Sequence, residues 1–284
     1  MKRVAVIGGM NMDVTGYCLD ACVMHDSNPG HIRFSPGGVG RNIACCLAEA
    51  GHAVELITCM TNDLPGRALR EDCARRGIGL KYALAAQGSA SCYVSLHTPD
   101  GDMLAAVNDM AALDGLDAAC VRARAEAVNA FDACVIDTNL PPETLREIAS
   151  LVSIPLIADA VSVHKCFRLL PLMPRLAAIK PNEAEARALT GLEKPEDQAK
   201  ALVKMGAARA VISLGKSGVY AMDEKGGSFL AAKQLYTCQA TGAGDALCAG
   251  ICEGVVLGLG AIDCAFRGME KADALLRNRQ FHTS

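Results

Sequence analysis

Short apolar runs alternate with helix-like stretches along most of the chain, and this alternation constrains the fold more than any other feature. The apolar runs cover residues 4–8, 54–58, 133–137, 155–159 and 210–214. The helix-like stretches between them cover residues 42–50, 64–76, 142–151, 183–189 and 195–205. Runs without polar alternation are typical of parallel strands buried on both faces, so the pattern predicts a doubly wound, mostly parallel α/β sheet.

Two segments interrupt this alternation. Roughly residues 12–35 are extended and turn-rich, and residues 81–107 alternate in polarity before and after a Pro-Asp-Gly turn at 99–101. Such segments are typical of antiparallel strands joined by tight turns. We therefore expect one domain over residues 1–284, with a small antiparallel β lid above the strand ends.

Composition excludes several classes of partner. The 284 residues carry a net charge of −3 with no basic tail, which argues against nucleic-acid binding. No uncharged apolar run reaches membrane-spanning length, so no membrane contact is expected. The 14 cysteines are scattered through apolar runs without CxxC pairs, and no signal peptide precedes the first strand. These features predict reduced thiols and a cytoplasmic protein.

A glycine-rich loop at residues 240–245 stands between an extended segment, 228–238, and an apolar helix-like run. Gly242 and Gly244 would let backbone N–H groups converge at a helix N-terminus, where an anion is favoured. Asp245 would then be placed to take a proton from an attacking hydroxyl. Taken alone, the pattern fits a tight turn with a helix-starting aspartate equally well.

A second glycine-rich segment covers residues 36–44. Three glycines stand directly before Arg41 and Asn42, and the amide of Asn42 can both donate to and accept from sugar hydroxyls. Asp13, after the first strand, offers a further acceptor. Gly8 and Gly9, after the first strand, lack the G-x-G-x-x-G spacing of a dinucleotide site, and the glycines at 37–40 follow no apolar strand. A Walker phosphate loop is absent from the sequence.

Four motifs carry a resemblance to a known family; they cover residues 37–42, 182–185, 215–218 and 241–245. On these motifs the chain resembles the ribokinase-like (PfkB) family of carbohydrate and nucleoside kinases along essentially its whole length. The resemblance implies the fold of that family, a doubly wound α/β sheet with a β lid. Further stretches resemble the members that phosphorylate pseudouridine; they cover residues 26–30, 36–42, 108–110, 137–140 and 161–165.

The resemblance implies a role for each matching residue. Asp245 matches the general base, which would take the proton of a ribose 5′-hydroxyl. Gly242, Ala243 and Gly244 match the anion hole. The residues implied on the substrate side are Asp13, Gly38, Asn42 and Asn139.

The same resemblance implies ATP and Mg²⁺ as cofactors, with a monovalent cation such as K⁺ near the anion hole. Glu185 would hold Mg²⁺ through water. The residues expected on the nucleotide side are Asn182, Ser213, Gly215, Gly218 and Lys165. After Gly260 the stretch 268–277 is more charged than is usual in the family, which predicts a difference in phosphate-donor preference.

The implied activity is ATP-dependent phosphorylation of pseudouridine at its 5′-hydroxyl, giving pseudouridine 5′-phosphate and ADP. A small-molecule nucleoside is therefore the expected partner, and the resemblance implies a homodimer formed through the lid. Three alternatives stay open: a kinase for ribose, adenosine or uridine, a nucleoside-binding regulator without turnover, and a nicotinamide oxidoreductase. The glycine spacing disfavours the last.

Overall fold

A computed structural model of the protein describes residues 1–233 and 241–282, with the backbone alone from 279 onward. The strands in chain order are β1 (Arg3–Ile7), β2 (Asn11–Cys18), β3 (Gly30–Gly37), β4 (Ala53–Ile57), β5 (Cys59–Met60), β6 (Ile78–Gly79), β7 (Leu84–Ala85), β8 (Cys92–His97), β9 (Met103–Asp109), β10 (Ala133–Asp137), β11 (Leu156–Asp159), β12 (Leu176–Lys180), β13 (Arg209–Ser213), β14 (Gly218–Asp223) and β15 (Gly226–Ala231). The α-helices are α1 (Val39–Glu49), α2 (Leu64–Arg75), α3 (Ala118–Asn129), α4 (Pro142–Leu151), α5 (Glu183–Thr190), α6 (Pro195–Lys204), α7 (Ala243–Val256) and α8 (Ala261–His282).

In the described part of the chain the large sheet has nine strands, in the order β6-β4-β1-β10-β11-β12-β13-β14-β15. Its strands are parallel from β6 to β13, and β14 and β15 add an antiparallel hairpin at one edge. The predicted doubly wound, mostly parallel fold is therefore confirmed. All five predicted apolar runs are strands of this sheet. Strand β15 covers the first part of the extended segment expected at 228–238, and residues 234–240 lie outside the described part of the chain.

Helices cover both faces of this sheet. Helices α3 to α6 pack on one face through buried side chains such as Leu145 and Leu202. Helices α1, α2, α7 and α8 pack on the other through side chains such as Leu47 and Ile251. Each fully buried Leu or Ile contributes about 1.5–3 kcal/mol relative to exposure, so the two layers hold the strand ends in fixed positions.

The sequence analysis missed α3 and β12 and began α1 three residues too late. Helix α3 buries only three side chains, so its apolar periodicity is weak. Strand β12 follows a 3₁₀ segment, Cys166–Arg175, whose two prolines hide the start of the strand. Helix α1 begins at Val39 because Gly38 turns the chain into it with a left-handed φ of 96°.

A second, four-stranded sheet has the order β3-β2-β8-β9 and is built from the two segments that interrupt the alternation. Its outer pairs are antiparallel, whereas β2 and β8 are parallel, because the chain crosses over through α1, β4 and α2 between them. The cross-strand register gives the two faces of this sheet different side chains. One row joins Asp13, Ser35, Tyr93 and Asn108, and the neighbouring row on the other face joins Val14, Phe34, Val94 and Val107.

Cysteines in the described residues are free thiols, and most are buried. Burial raises the pKa of Cys134 to about 12, as for a thiol that serves as an apolar packing group. Among the described helices, none is long and apolar enough to cross a membrane.

Candidate active site

The carboxyl ends of the central strands carry a row of polar side chains. Asp137 ends β10, Asp159 ends β11 and Lys180 ends β12. The strand order reverses between β1 and β10, and in open α/β sheets the crevice at such a switch point is where ligands bind.

Asp137 is fully buried and ties three segments together. One carboxylate oxygen accepts the backbone N–H groups of Gly9 at 2.8 Å and Gly40 at 2.9 Å, and the other accepts that of Asn139 at 2.9 Å. Burial raises the pKa of Asp137, and these N–H donors oppose the rise. The residue therefore fixes the turn after β1, the start of α1 and the loop after β10 relative to one another.

The four residues expected on the substrate side lie next to one another. The Asp13 carboxylate accepts from Asn11 Nδ2 at 2.5 Å and lies against the Cα of Gly37. Gly38 packs so tightly that a Cβ there would come within 2.5 Å of the Gly9 carbonyl oxygen. Gly9 also adjoins the amide of Asn139, and the N–H of Asn42 donates to the Gly38 carbonyl at 2.8 Å. Burial raises the pKa of Asp13.

Asp245 lies in the first turn of α7. Gly242, with φ of 82°, is the N-cap residue of this helix, and the first N–H groups of a helix have no acceptor within it. Asp245 Oδ2 accepts from Asn42 Nδ2 at 2.9 Å. Burial, and then the Asp159 charge, raise the pKa of Asp245 to about 6, against the lowering effects of Lys180 and the Asn42 hydrogen bond. The predicted general base, Asp245, and the predicted sugar-binding residue, Asn42, are therefore in direct contact.

Lys180 is a site residue that sequence reasoning missed. Its buried ammonium pairs with Asp159 at 2.7 Å, and a Cβ added to Gly244 would lie 3.0 Å from it. Although burial alone would lower the pKa of Lys180, the Asp159 charge raises it above the ordinary value. A permanent positive charge thus stands beside the glycine loop. The available signal was a lysine ending a buried apolar run, directly before Pro181 and Asn182.

A groove of about 930 Å³ opens on the other side of the glycine loop. Its lining includes six residues predicted for the nucleotide or the anion hole: Asn182, Ser213, Gly215, Gly218, Ala243 and Gly244. Helix α8 forms the opposite wall with apolar side chains such as Phe266 and Met269. Sequence analysis had flagged residues 268–277 for their charge, and the apolar lining residues of α8 were missed.

Asn182 and Glu185 form a reciprocal cap on α5. The Asn182 side chain accepts the Glu185 N–H, and both Glu185 carboxylate oxygens accept from Asn182, all at 2.8 Å. Glu185 is only 2% exposed, so its carboxylate is not a solvated surface group. Burial raises its pKa.

Lys165, predicted on the nucleotide side, lies elsewhere. Lys165 Nζ donates to Asn139 Oδ1 at 2.7 Å, which places it with the substrate-side residues and not in the lining of the groove. In the loop after β2, the Asn28 amide satisfies backbone groups of Val23 and Asp26.

The described residues of the site form no closed cage for a metal ion. No group of three or more His, Cys, Asp or Glu side chains suited to a metal occurs in residues 1–233 and 241–282. Both Glu185 oxygens already accept hydrogen bonds but keep free lone pairs. This donor set fits Mg²⁺ that keeps most of its waters and is bound through nucleotide phosphates.

The fold and the site define an α/β phosphotransferase whose acceptor is an alcohol group. Residues 1–281 match the pfkB family of carbohydrate kinases, and the chain belongs to that family. It is 36% identical over 256 residues to a pseudouridine kinase of Escherichia coli (strain K12), covering 87% of this chain and 82% of that protein.

Solved structures show the same architecture. A carbohydrate kinase from Agrobacterium tumefaciens superposes with a TM-score of 0.85 at 28% identity, covering 96% of this chain and 90% of that one. The Arabidopsis thaliana ribokinase complexed with ribose and ATP gives a TM-score of 0.85 at 18% identity, covering 97% and 93%. The second likeness concerns the fold alone. Kinases of this family use ATP, and the resemblance stated from the motifs is confirmed.

Proposed function

We propose that the protein transfers the γ-phosphoryl group of ATP to the 5′-hydroxyl of pseudouridine, giving pseudouridine 5′-phosphate and ADP. One observation carries this proposal: the N-terminus of α7 borders both the substrate-side residues and the groove. Asp245 contacts Asn42 on the substrate side, while Ala243 and Gly244 line the groove. The likeness to a pseudouridine kinase at 36% identity supports this acceptor.

In this mechanism Asp245 accepts the proton of the 5′-hydroxyl as its oxygen bonds to the γ-phosphorus. The bond from that phosphorus to the bridging oxygen breaks, and ADP leaves with the electron pair. The N–H groups of Gly242, Ala243 and Gly244 would stabilise the charge on the transferring group. Lys180, beside Gly244, adds a positive charge that needs no reorganisation during the step.

Different residues would bind the two substrates. Asp13, Gly38, Asn42 and Asn139 would hold the ribose, and Lys165 would bring positive charge toward the phosphoryl group from the Asn139 side. The groove residues expected to hold ATP are Asn182, Ser213, Gly215 and Gly218. Glu185 with Asn182 would bind Mg²⁺ through water, which neutralises phosphate charge. We also propose that a monovalent cation binds near the anion hole. The proposed location of the protein is the cytoplasm.

The small sheet would act both as a lid and as a dimer interface. Its row with Asp13 is polar and borders the substrate side, whereas side chains on the opposite face are exposed and apolar, among them Ile32, Phe34, Val94 and Val107. An exposed apolar sheet face of this kind is typical of an interaction surface. We propose that two copies pair through it.

The acceptor is tested by offering purified protein ATP and Mg²⁺ with pseudouridine, uridine, ribose or adenosine, and recording ADP release. The proposal expects the highest kcat/KM with pseudouridine. Turnover strongest with ribose would contradict that acceptor while keeping a kinase. Saturable pseudouridine binding without ADP release would indicate a nucleoside-binding regulator instead.

A further inference from the structure

Arg41 is buried in the first turn of α1, next to Asn42, and has no place in the mechanism above. The residue is 6% exposed. Nη1 donates to Asn42 Oδ1 at 3.0 Å and to the Pro36 carbonyl at 3.2 Å. Nη2 donates to the carboxylate of Asp72, a residue of α2 that is also 6% exposed.

These contacts decide which way the Asn42 amide points. A guanidinium group has only donors, so the Asn42 atom facing Arg41 must be the oxygen. The amide nitrogen then faces Asp245, where it donates to Oδ2. If the amide were flipped, its oxygen would face Asp245 and would need a proton on that carboxyl group for a hydrogen bond.

We propose that Arg41, anchored by Asp72, is a positioning residue that holds the Asn42 amide with its N–H group toward Asp245, so that this carboxylate stays ionised and able to accept a proton. Asp72 lies on α2 and influences the orientation of the Asn42 amide through its ion pair with Arg41. The role of Asp245 as base rests on the proposed function. The orientation of the amide does not.

The buried pair is poorly explained by stability alone. Removing two charges from water costs more than most buried ion pairs return. Arg41 Nε, moreover, is buried without a hydrogen-bond partner among the described residues. A residue kept at that cost, with one donor on the substrate-binding asparagine, fits orientation of that asparagine better than support of the fold.

The surroundings of Asp245 make this orientation matter. Asp137 and Asp159 face it from β10 and β11 and favour its neutral form, as do burial and the thiols of Cys46 on α1 and Cys248 on α7 when ionised. Because burial raises the pKa of both thiols, they stay neutral near pH 7. Lys180 from β12 and the Asn42 hydrogen bond favour the carboxylate.

The test uses Arg41→Met, which removes the donor to Asn42 but leaves Asp72 paired with Arg75 and Arg76. Arg76→Met is the matched control, since Arg76 contacts Asp72 and Glu49 but not Asn42. The carboxyl carbon of Asp245 is titrated by NMR in protein with labelled aspartate, its signal being assigned through Asp245→Asn. Asp72→Asn provides a second variant that loosens the anchor if Arg41→Met does not fold.

We expect the Asp245 midpoint to rise by about one pH unit in Arg41→Met, by less in Asp72→Asn, and to stay unchanged in Arg76→Met. In the kinase assay the wild-type to Arg41→Met rate ratio should fall as the pH rises, whereas a purely structural defect gives a constant ratio. An unchanged midpoint in both test variants, or an equal shift in Arg76→Met, overturns the proposal. Because the titration needs no turnover, it decides the point even if no nucleoside is phosphorylated.

Discussion

At the scale of one residue, the groups around Asp245 shift the pKa of its carboxyl group in opposite directions. Its pKa of about 6 keeps it ionised at neutral pH yet basic enough to take a proton. Asp245→Asn removes the base but keeps an oxygen that can accept from Asn42. We expect kcat to fall by about three orders of magnitude or more while nucleoside binding, measured by calorimetry, changes little. A variant that keeps wild-type turnover would show that another group accepts the proton.

The same carboxylate should destabilise the fold. Its pKa in the folded protein, about 6, lies above the ordinary value of 3.8, so the ionised form is less favourable in the folded than in the unfolded chain. This penalty is fully present above pH 6 and disappears as the pH falls toward 3.8. Asp245→Asn should therefore raise the free energy of unfolding by about 3 kcal/mol at pH 8 and by about half as much at pH 5. Denaturant unfolding at both pH values measures the difference; equal gains would contradict the linkage.

Asp137 matters because one buried carboxylate satisfies three backbone N–H groups. Asp137→Asn replaces an acceptor by an amide donor beside those groups, so we expect a loss of about 2–3 kcal/mol in stability and a raised KM for the nucleoside. Asp132→Asn is the control, since Asp132 also accepts a backbone N–H, that of Arg3, but at the surface. A nucleoside KM unchanged in Asp137→Asn would mean that the loops keep their positions without it.

At the scale of elements, the N-terminus of α7 depends on Gly242. A side chain at its φ of 82° is strained by about 1–2 kcal/mol, and relief of that strain would turn the adjoining N–H groups away from the groove. Gly242→Ala should thus lower kcat at least tenfold, beyond its effect on stability. Gly258→Ala, with φ of 73° and open space beyond α7, carries the same strain away from the site. Equal kcat losses in the two variants would refute a specific role for the loop.

Elements with strong local patterns were predictable from the sequence. The apolar run at 133–137 is β10, and the glycines before Asn42 and Asp245 do precede helices. Lys180 and the apolar lining residues of α8 were missed, because their neighbours come from distant parts of the chain. Lys180 looks like any surface lysine until β11 brings Asp159 within 2.7 Å of it. Phe266 and Met269 look like core residues until the groove is formed.

At the scale of the whole molecule, the exposed apolar face of the small sheet raises the question of what covers it. Phe34 is 68% and Val107 71% exposed, and both lie in one row with Val94. A carboxylate in the centre of such an interface would be buried without a partner, at a cost of several kcal/mol. Phe34→Glu should therefore separate a dimer into monomers of 29.7 kDa, as measured by sedimentation equilibrium.

Phe229 provides the control for this change. It is 49% exposed on β15, at the far edge of the large sheet, so Phe229→Glu should leave the mass of the wild-type assembly unchanged. Dissociation by Phe34→Glu alone would assign the interface to the small sheet. A wild-type protein that sediments as a monomer at micromolar concentration would rule out the proposed dimer, and the apolar row would then need another partner.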